Sequence, residues 1–459
     1  MSGHNKKARI IIIGAGTGGL STALELAKAG IAATVIEQRN EDGFGNTWCN
    51  DVEVESFLAA GLPEPLDEHL AFSFDHPYFV RSRDGKIEYR IDDLRLYPLM
   101  MSGYQAYLKQ LCRERGVAFN FGVEARELMI ENGRVAGVVV SDNSSGRDQV
   151  LAADLVVAAC GDKASVFKSL SGTGLIDLEI DDADYVFALQ ELWTVDPDKA
   201  ARVMREKSII DKGVICHVGV SGAYSILLYQ LDLQQCRFGI LSGTRIQDPG
   251  VKHPRRIMDE KIADLGFCIE RTYAGGRHIP LRYPPYSMVC NGFAVVGDCA
   301  FMANPQNGSG TYTSMVAGKL LAQTIADVVR NGLPFDTAAL WRYNHHFHST
   351  LGAELAGLYI SQKITRRLNE DEVYKLLACS VFRPDDIVGA YETRAVNLTP
   401  ADALGRFVSG LTILPILIRF TKNGLRVQKA VRHYKKYPET FDLNAFNKWK
   451  NKAAAIFRF

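Results

Sequence analysis

The run Ile10-Ile11-Ile12-Ile13-Gly14-Ala15-Gly16-Thr17-Gly18-Gly19 decides the fold. Its apolar half, taken from Lys7 to Ile13, reads as a buried strand, and the glycines lead into a helix with apolar positions at Leu20, Ala23, Leu24 and Leu26. Gly14 permits the tight turn, Gly16 lets the backbone approach a pyrophosphate, and Gly19 lets the helix pack closely on the sheet. Gly30 stops the helix. The next run, Ala32-Ala33-Thr34-Val35-Ile36-Glu37, is a second parallel strand ending in a carboxylate that can accept hydrogen bonds from a ribose diol. Residues from about 7 to 37 are thus one βαβ unit of Rossmann type. Phosphate oxygens would meet the helix N-terminus, whose free N–H groups and dipole favour an anion. A glycine turn without a ligand is the bland alternative, and the strand, helix and terminal carboxylate together weigh against it.

Outward from this unit, Asp84-Gly85 between Tyr78-Phe79-Val80 and Ile87-Glu88-Tyr89 marks a hairpin. Tyr104 to Arg115 reads as a helix, and Val117 to Asp162 as a β-meander that returns to the parallel sheet through Leu155 to Ala159. Alternation from Tyr185 to Arg245 suggests an antiparallel sheet interrupted by a helix from Pro197 to Glu206. Phe293-Ala294-Val295-Val296-Gly297-Asp298 is another buried strand, followed by a loop through Pro305 and Gly310 and a helix to about Arg330. Beyond Phe335 the pattern is mainly helical.

At 459 residues, with 47% hydrophobic and 23% charged residues, the chain has the composition of an ordinary large globular protein. The net charge of +1 steers nothing, and no nucleic-acid partner is expected. Nine cysteines without a CxxC pair lack the usual spacing for zinc or an iron–sulfur cluster and fit reduced thiols in a cytosol. The apolar run after the basic N-terminus is too short for a signal-peptide core, so a cytoplasmic location is expected.

Gly297-Asp298 at a strand end, then Asn304-Pro305-Gln306-Asn307-Gly308-Ser309-Gly310 and a helix, is foreign to a simple Rossmann dehydrogenase. It resembles the second FAD motif of the glutathione-reductase-like flavoproteins. That resemblance implies an aspartate on the ribityl chain and a helix N-terminus facing the pyrimidine end of the flavin, where negative charge accumulates on reduction. The segment Ile279 to Ala322, with Pro284, Asn291-Gly292, Met315 and Gly318, narrows the resemblance to the geranylgeranyl reductase family, related to the aromatic-hydroxylase-type flavin monooxygenases. The fold so implied is α/β: a glutathione-reductase-like FAD-binding domain with an inserted antiparallel β-sheet substrate domain and a helical C-terminal region. The FAD domain is expected to be discontinuous, over 1–70, 95–165 and 278–335. The substrate domain takes 71–94 and 166–277, and the helical region 336–459. The cofactor-binding set comprises Gly14, Ala15, Gly16, Thr17, Gly18, Gly19, Glu37, Val123, Asp298, Gly308, Ser309, Gly310 and Thr311.

The resemblance implies an FAD-dependent oxidoreductase of lipid metabolism that reduces C=C bonds of an isoprenoid or other apolar substrate. Two departures stand out. The family's Tyr-x-Trp-x-Phe-Pro strand meets Tyr224-Ser225-Ile226-Leu227-Leu228-Tyr229 here, and before the helix at Tyr104, where many relatives place an arginine that helps hold FAD, the nearest basic residue is Arg95. Cys49, in Thr47-Trp48-Cys49-Asn50, falls where the family carries a cysteine near the flavin and is the expected catalytic residue, with a buried filler as the bland alternative. The runner-up enzyme is a flavin monooxygenase or halogenase acting on an aromatic or alkene substrate, although the halogenase Trp-x-Trp-x-Ile-Pro signature is absent. A reading of another class is a non-catalytic FAD-binding protein at a membrane. No second GxGxxG marks a separate NAD(P)H domain, which leaves NAD(P)H, ferredoxin and a quinol open as donor.

His345-His346-Phe347-His348 offers two histidines at i, i+3, but no accompanying ligand cluster, so no metal site is expected and a solvated helical face is preferred. Tyr224, Tyr229 and Tyr312 read as packing residues. Leu411 to Ile418, amid Arg406, Arg419, Lys422, Arg426 and Lys429, is too short to span a membrane and is expected to be interrupted by Pro415, so peripheral membrane contact and packing on the body are equal expectations.

Overall fold

A computed structural model describes residues 8–74, 76–161, 166–167, 170 and 174–458, with side chains described throughout except at 421–423. The first strand is Ile10–Ile13, buried along its length; Lys7, where the sequence pattern starts it, and Asp162, where the meander was expected to end, lie outside the described residues. Burying each isoleucine side chain contributes about 1.5–3 kcal/mol, which is why this run sits at the centre of a sheet and not at its edge. Ile10–Ile13 pairs in parallel with Leu155–Ala158 on one side and Thr34–Glu37 on the other. The six-stranded sheet continues through Phe293–Val295 to Val289–Cys290 at one end and to Ala118–Phe121 at the other. The strand expected to reach Asp298 ends at Val295, because Gly297–Ala300 turns into a short 3-10 segment.

Helix Thr17–Lys28 and helix Thr311–Arg330 pack together through their glycines. A Cβ added to Gly318 would lie 2.8 Å from the Gly18 carbonyl oxygen, so only glycine allows this approach. The meander appears as the three-stranded sheet Val123–Glu131, Arg134–Asp142 and Asp148–Ala152.

The second large sheet has seven strands, in the order Cys268–Pro280, Tyr185–Val195, Arg237–Thr244, Ser225–Asp232, Val214–Val218, Tyr78–Arg81 and Glu88–Ile91. All its pairings are antiparallel except Val214–Val218 with Tyr78–Arg81, which brings the early hairpin into the later sheet. Period-two alternation gives it two faces. Phe79, Ile215, Leu227 and Tyr229 pack in a core that also buries Met258 and Leu265 of helix Pro254–Leu265. Val80, Cys216, Ile226 and Leu228 face a cavity on the other side. A two-stranded sheet, Cys49–Glu53 with Leu96–Met100, stands at the other wall of that cavity.

Residues 337–457 supply seven helices, from Thr337–Ser349 to Leu443–Phe457. Helix Leu351–Thr365 is buried along most of its length and is tied to the seven-stranded sheet by Asp184, whose carboxylate takes hydrogen bonds from Tyr359 Oη (3.1 Å), the Arg366 guanidinium (3.0 Å) and the Lys363 ammonium.

Two sequence expectations need correction here. His348 is fully buried and stacks on Tyr437 with ring centroids 4.6 Å apart, because the C-terminal helix Leu443–Phe457 folds back over that face; it is a core histidine, not part of a solvated face. Pro415 begins helix Leu414–Tyr434 and does not interrupt it, since a first-turn proline lacks only an N–H that would be unpaired anyway. The run Leu411 to Ile418 is consequently divided. Ile413, Ile416 and Leu417 pack inward, while Leu411, Leu414 and Ile418 are exposed.

Candidate functional site

A cavity of about 1280 Å³ runs between the parallel sheet, the seven-stranded sheet and the C-terminal helices. One end is built by the glycine turn. Gly14 has φ +95°, and a Cβ there would lie 2.5 Å from the Ala159 carbonyl oxygen; a Cβ on Gly19 would lie 2.1 Å from the Gly14 carbonyl oxygen. Gly16 differs, because the nearest atom to its added Cβ is 3.8 Å away. Its bare backbone faces open space in the cavity, where a side chain would stand in the place of a bound pyrophosphate. Helix Thr17–Lys28 has no side-chain cap, so its first N–H groups remain for an anion, whereas helix Pro197–Lys207 is capped by Asp196.

Glu37 is held in place at the end of its strand. Its Oε2 accepts from the Ala15 N–H and its Oε1 from the Arg39 N–H, both at 3.0 Å. A carboxylate offers about four acceptor positions, so two remain for a ribose diol. The fit to the adenosine half of FAD therefore rests on an open glycine cradle, an uncapped helix and a fixed buried carboxylate.

The other end is formed by Asp298 and the loop before helix Thr311–Arg330. Asn304 and Asn307 brace that loop with side-chain bonds to the N–H groups of Gln306 and Ser309, both at 2.9 Å. Gly308 has φ +77°, and a Cβ on Gly310 would lie 3.0 Å from Asp298 Oδ1. This helix also lacks a side-chain cap. Gly14, Ala15, Gly16, Thr17, Gly18, Glu37, Val123, Asp298, Gly308, Ser309, Gly310 and Thr311 all line the one cavity; Gly19 lies beneath the turn and acts through packing.

Cys49 lies on the same cavity wall, buried to 7% exposure. Burial pushes its thiol pKa up, the neighbouring Asp51 carboxyl adding to the effect, so the thiol stays neutral. Trp48 packs beside it. Tyr224 also lines the cavity and donates from Oη to the Pro305 carbonyl at 2.5 Å, whereas Tyr229 belongs to the opposite face. Arg95 does not reach the cofactor end. Its guanidinium lies 5.6 Å from the Phe74 ring centroid, and it lines a separate pocket. Among the described residues, no group of three or more His, Cys, Asp or Glu could hold a metal ion.

Sequence reasoning missed several polar groups in this wall. Gln105 accepts the Asn46 N–H at 2.7 Å, and Arg277 donates to Asn46 Oδ1 at 2.5 Å, so the loop before Cys49 is fixed from two directions. Arg39 ties down the same loop through Gly45 O at 2.7 Å. Gln190 holds the Cys49 backbone. A usable signal existed for Gln190: strand alternation puts it on the face of Ala188 and Leu192, where a lone carboxamide among apolar side chains asks for a partner.

Residues 7–179 match the family described as an FAD binding domain. The chain is 24% identical over 441 residues to a digeranylgeranylglycerophospholipid reductase of Sulfolobus acidocaldarius, covering 95% of this chain and 94% of that protein. A geranylgeranyl bacteriochlorophyll reductase-like protein of Thermoplasma acidophilum superposes with a TM-score of 0.72 at 15% identity, over 91% of this chain and 99% of that one. A flavin-dependent brominase superposes with a TM-score of 0.62 at 15% identity, over 89% and 99%. The fold, the site and these likenesses define an FAD-dependent oxidoreductase. Within that class, the resemblance to the geranylgeranyl reductases extends along nearly the whole chain, well beyond the FAD-binding portions in which the sequence motifs lie.

Proposed function

We propose that the protein reduces C=C bonds of an isoprenoid chain borne by a lipid or similar apolar molecule. The observation that carries this is the continuation of the cavity beyond the flavin end into an apolar passage beneath the C-terminal helices, walled by Leu358, Leu377, Ile387, Phe407, Leu417 and Leu425. Apolar walls of this length suit a long hydrocarbon better than a compact aromatic, and Phe407 and Leu425, 43% and 76% exposed, mark where the passage opens to solvent. Ile226 and Leu228, aliphatic where the resembled family has Trp and Phe, line the same cavity. The names of the curated relatives support the same substrate class.

Bound FAD supplies the hydride when reduced. The chain's part is positioning and electrostatics. The uncapped N-terminus of helix Thr311–Arg330 favours the negative charge that reduction brings, and Gln190 fixes the Cys49 backbone beside the substrate passage. The test is to reduce the purified protein with dithionite under nitrogen, add a geranylgeranyl-bearing phospholipid and analyse the lipid by mass spectrometry. Gain of two hydrogens per double bond supports the reading. An unchanged lipid, with oxygenated product appearing only on admission of air, would favour a monooxygenase.

The passage ends beside helix Pro400–Ser409 and the start of helix Leu414–Tyr434, and we read this end as the face that meets a membrane surface. Helix Pro400–Ser409 has no buried residue, and Leu404 and Val408 are 64% and 57% exposed. The exposed Lys429 on helix Leu414–Tyr434 suits an anionic headgroup layer, whereas Arg419 is paired with Glu372 and Arg426 donates to the Arg458 carbonyl. Among the described residues, no single helix is long and apolar enough to cross a membrane, whereas the bent pair Pro400–Ser409 and Leu411–Tyr434 passes by length and composition, with a bend of 73°.

A further inference from the structure

Asp51 and Tyr78 each line two cavities, the large one that holds the cofactor residues and a smaller one of about 220 Å³ bounded by His76, Asp92 and Arg95. The placement of Asp51 follows from its strand. Alternation along Cys49–Glu53 sets Cys49, Asp51 and Glu53 on one face, with Cys49 and Asp51 about 7 Å apart along the chain. Its chain neighbours are fixed: Val52 is fully buried, and Asn50, which also lines the large cavity, donates to Thr311 Oγ1 at 3.1 Å at the N-terminus of the helix that faces the flavin. Asp51 is therefore held between two fixed neighbours in the wall shared by the two cavities.

Among the described residues, no other carboxyl or hydroxyl in the cavity wall combines these properties. Among the described residues, no hydrogen bond or ion pair holds the Asp51 side chain, and burial alone raises its pKa to about 6. Glu53, on the same strand face, lies outside the large cavity, and burial raises it to about 8. Tyr78 and Tyr391 share a 2.5 Å hydrogen bond between their hydroxyls, and burial pushes both phenols well up, as it pushes Cys216 up to about 12. Burial likewise makes Cys49 a weaker acid. A carboxyl titrating near working pH is the better proton donor. The groups that face Asp51 are thus Cys49 and Glu53 from its own strand, Tyr78, Cys216 and Tyr391 from the neighbouring elements, and the three polar residues of the smaller pocket.

We propose that Asp51 is the proton donor of the reduction and that the smaller pocket resupplies its proton. The proposal rests on the reading that the substrate is a C=C bond. The π bond breaks as one carbon takes a hydride and the other takes the proton from Asp51. The two electrons come from the reduced cofactor, and the Asp51 carboxylate left behind regains a proton from the bulk solvent by way of the smaller pocket. The donor must be protonated to act, so substrate-dependent oxidation of the reduced protein falls as pH rises through about 6.

The test uses holoenzyme with Asp51→Asn and Asp51→Glu. In protein carrying ¹³C-carboxyl aspartate, one resonance titrates near pH 6 in the wild type and is missing in Asp51→Asn, without any substrate present. Asp51→Asn keeps its FAD and its rate of reduction by dithionite, but its anaerobic oxidation by a geranylgeranyl lipid slows by about 10²-fold and loses the pH dependence; Asp51→Glu recovers part of the rate. A wild type that reduces the lipid while Asp51→Asn retains its rate and pH profile overturns the proposal alone. A wild type that reduces no alkene overturns the functional reading instead. An aspartate spectrum with no carboxyl titrating near 6 overturns the assignment of Asp51 whatever the substrate.

Discussion

The Gln190 carboxamide clasps the backbone of Cys49 from both sides, accepting its N–H at 2.7 Å and donating to its carbonyl at 2.8 Å. The two residues come from different sheets, so this pair joins the seven-stranded sheet to the Cys49–Glu53 strand across the cavity. Gln190→Leu removes both bonds and leaves two buried backbone groups unpaired, at about 1–3 kcal/mol each. We expect lower stability to urea and slower substrate-dependent flavin oxidation, with FAD content retained. Wild-type stability and rate in this variant would show the clasp to be incidental.

Two glycines in one turn are predicted to fail in different ways. Gly14→Ala places a Cβ against the Ala159 carbonyl in a left-handed conformation, so the protein itself should be destabilised. Gly16→Val meets no protein atom so closely and should fold, yet be colourless, because its side chain occupies the space of the pyrophosphate. Thermal unfolding and flavin absorbance separate the two, and a yellow Gly16→Val protein would contradict the assignment.

Asp184 gathers Lys363, Arg366 and the Tyr359 hydroxyl, with Lys363 and Arg366 only 13% and 19% exposed. Asp184→Asn leaves two largely buried cations without their carboxylate. A loss of about 2–3 kcal/mol is expected, toward the lower end for a broken buried pair because both cations keep some contact with water. Burial lowers the Lys363 pKa, Asp184 opposing that effect; without Asp184 it falls further, and the variant's extra instability is greatest where Lys363 must carry its proton. Urea titrations of the two proteins at matched pH measure the difference.

Cys49→Ser should keep FAD and slow substrate-dependent oxidation by less than about tenfold, because burial leaves the thiol a poor acid and Asp51 two residues on is the proposed donor. A loss of about 10²-fold in Cys49→Ser, with Asp51→Asn unaffected, would return the proton to the thiol.

Replacing Leu404 and Val408 by glutamine should reduce co-sedimentation with anionic liposomes and leave the dithionite-driven flavin cycle intact, since neither side chain is buried. Equal pelleting of variant and wild type would remove the membrane contact from this face.

The legible parts of the chain were those in which a local backbone demand dictates residue type. Gly14, Gly16 and Gly19 have separate duties within six residues, and Glu37 closes the same unit, so their arrangement could be read without knowing the rest of the fold. The second motif was legible for the same reason, as a braced loop leading into a helix. Gln190 and Cys49 are 141 residues apart, and nothing local to either announces the other. Asp51 was not singled out from the sequence, because its importance comes from the two cavities it lines, which are formed by distant segments. His348 was misread because the helix that covers it arrives from almost a hundred residues further along the chain. Pro415 was misread because the same residue breaks a helix interior and starts a first turn, and only the boundary distinguishes them.

The most direct test is anaerobic stopped-flow oxidation of dithionite-reduced holoenzyme by a geranylgeranyl-bearing phospholipid, followed at the flavin absorbance. The account predicts reoxidation without oxygen, at a rate that depends on lipid concentration and with one double bond saturated for each flavin reoxidised. A flavin that stays reduced until air is admitted, with or without the lipid, would contradict it.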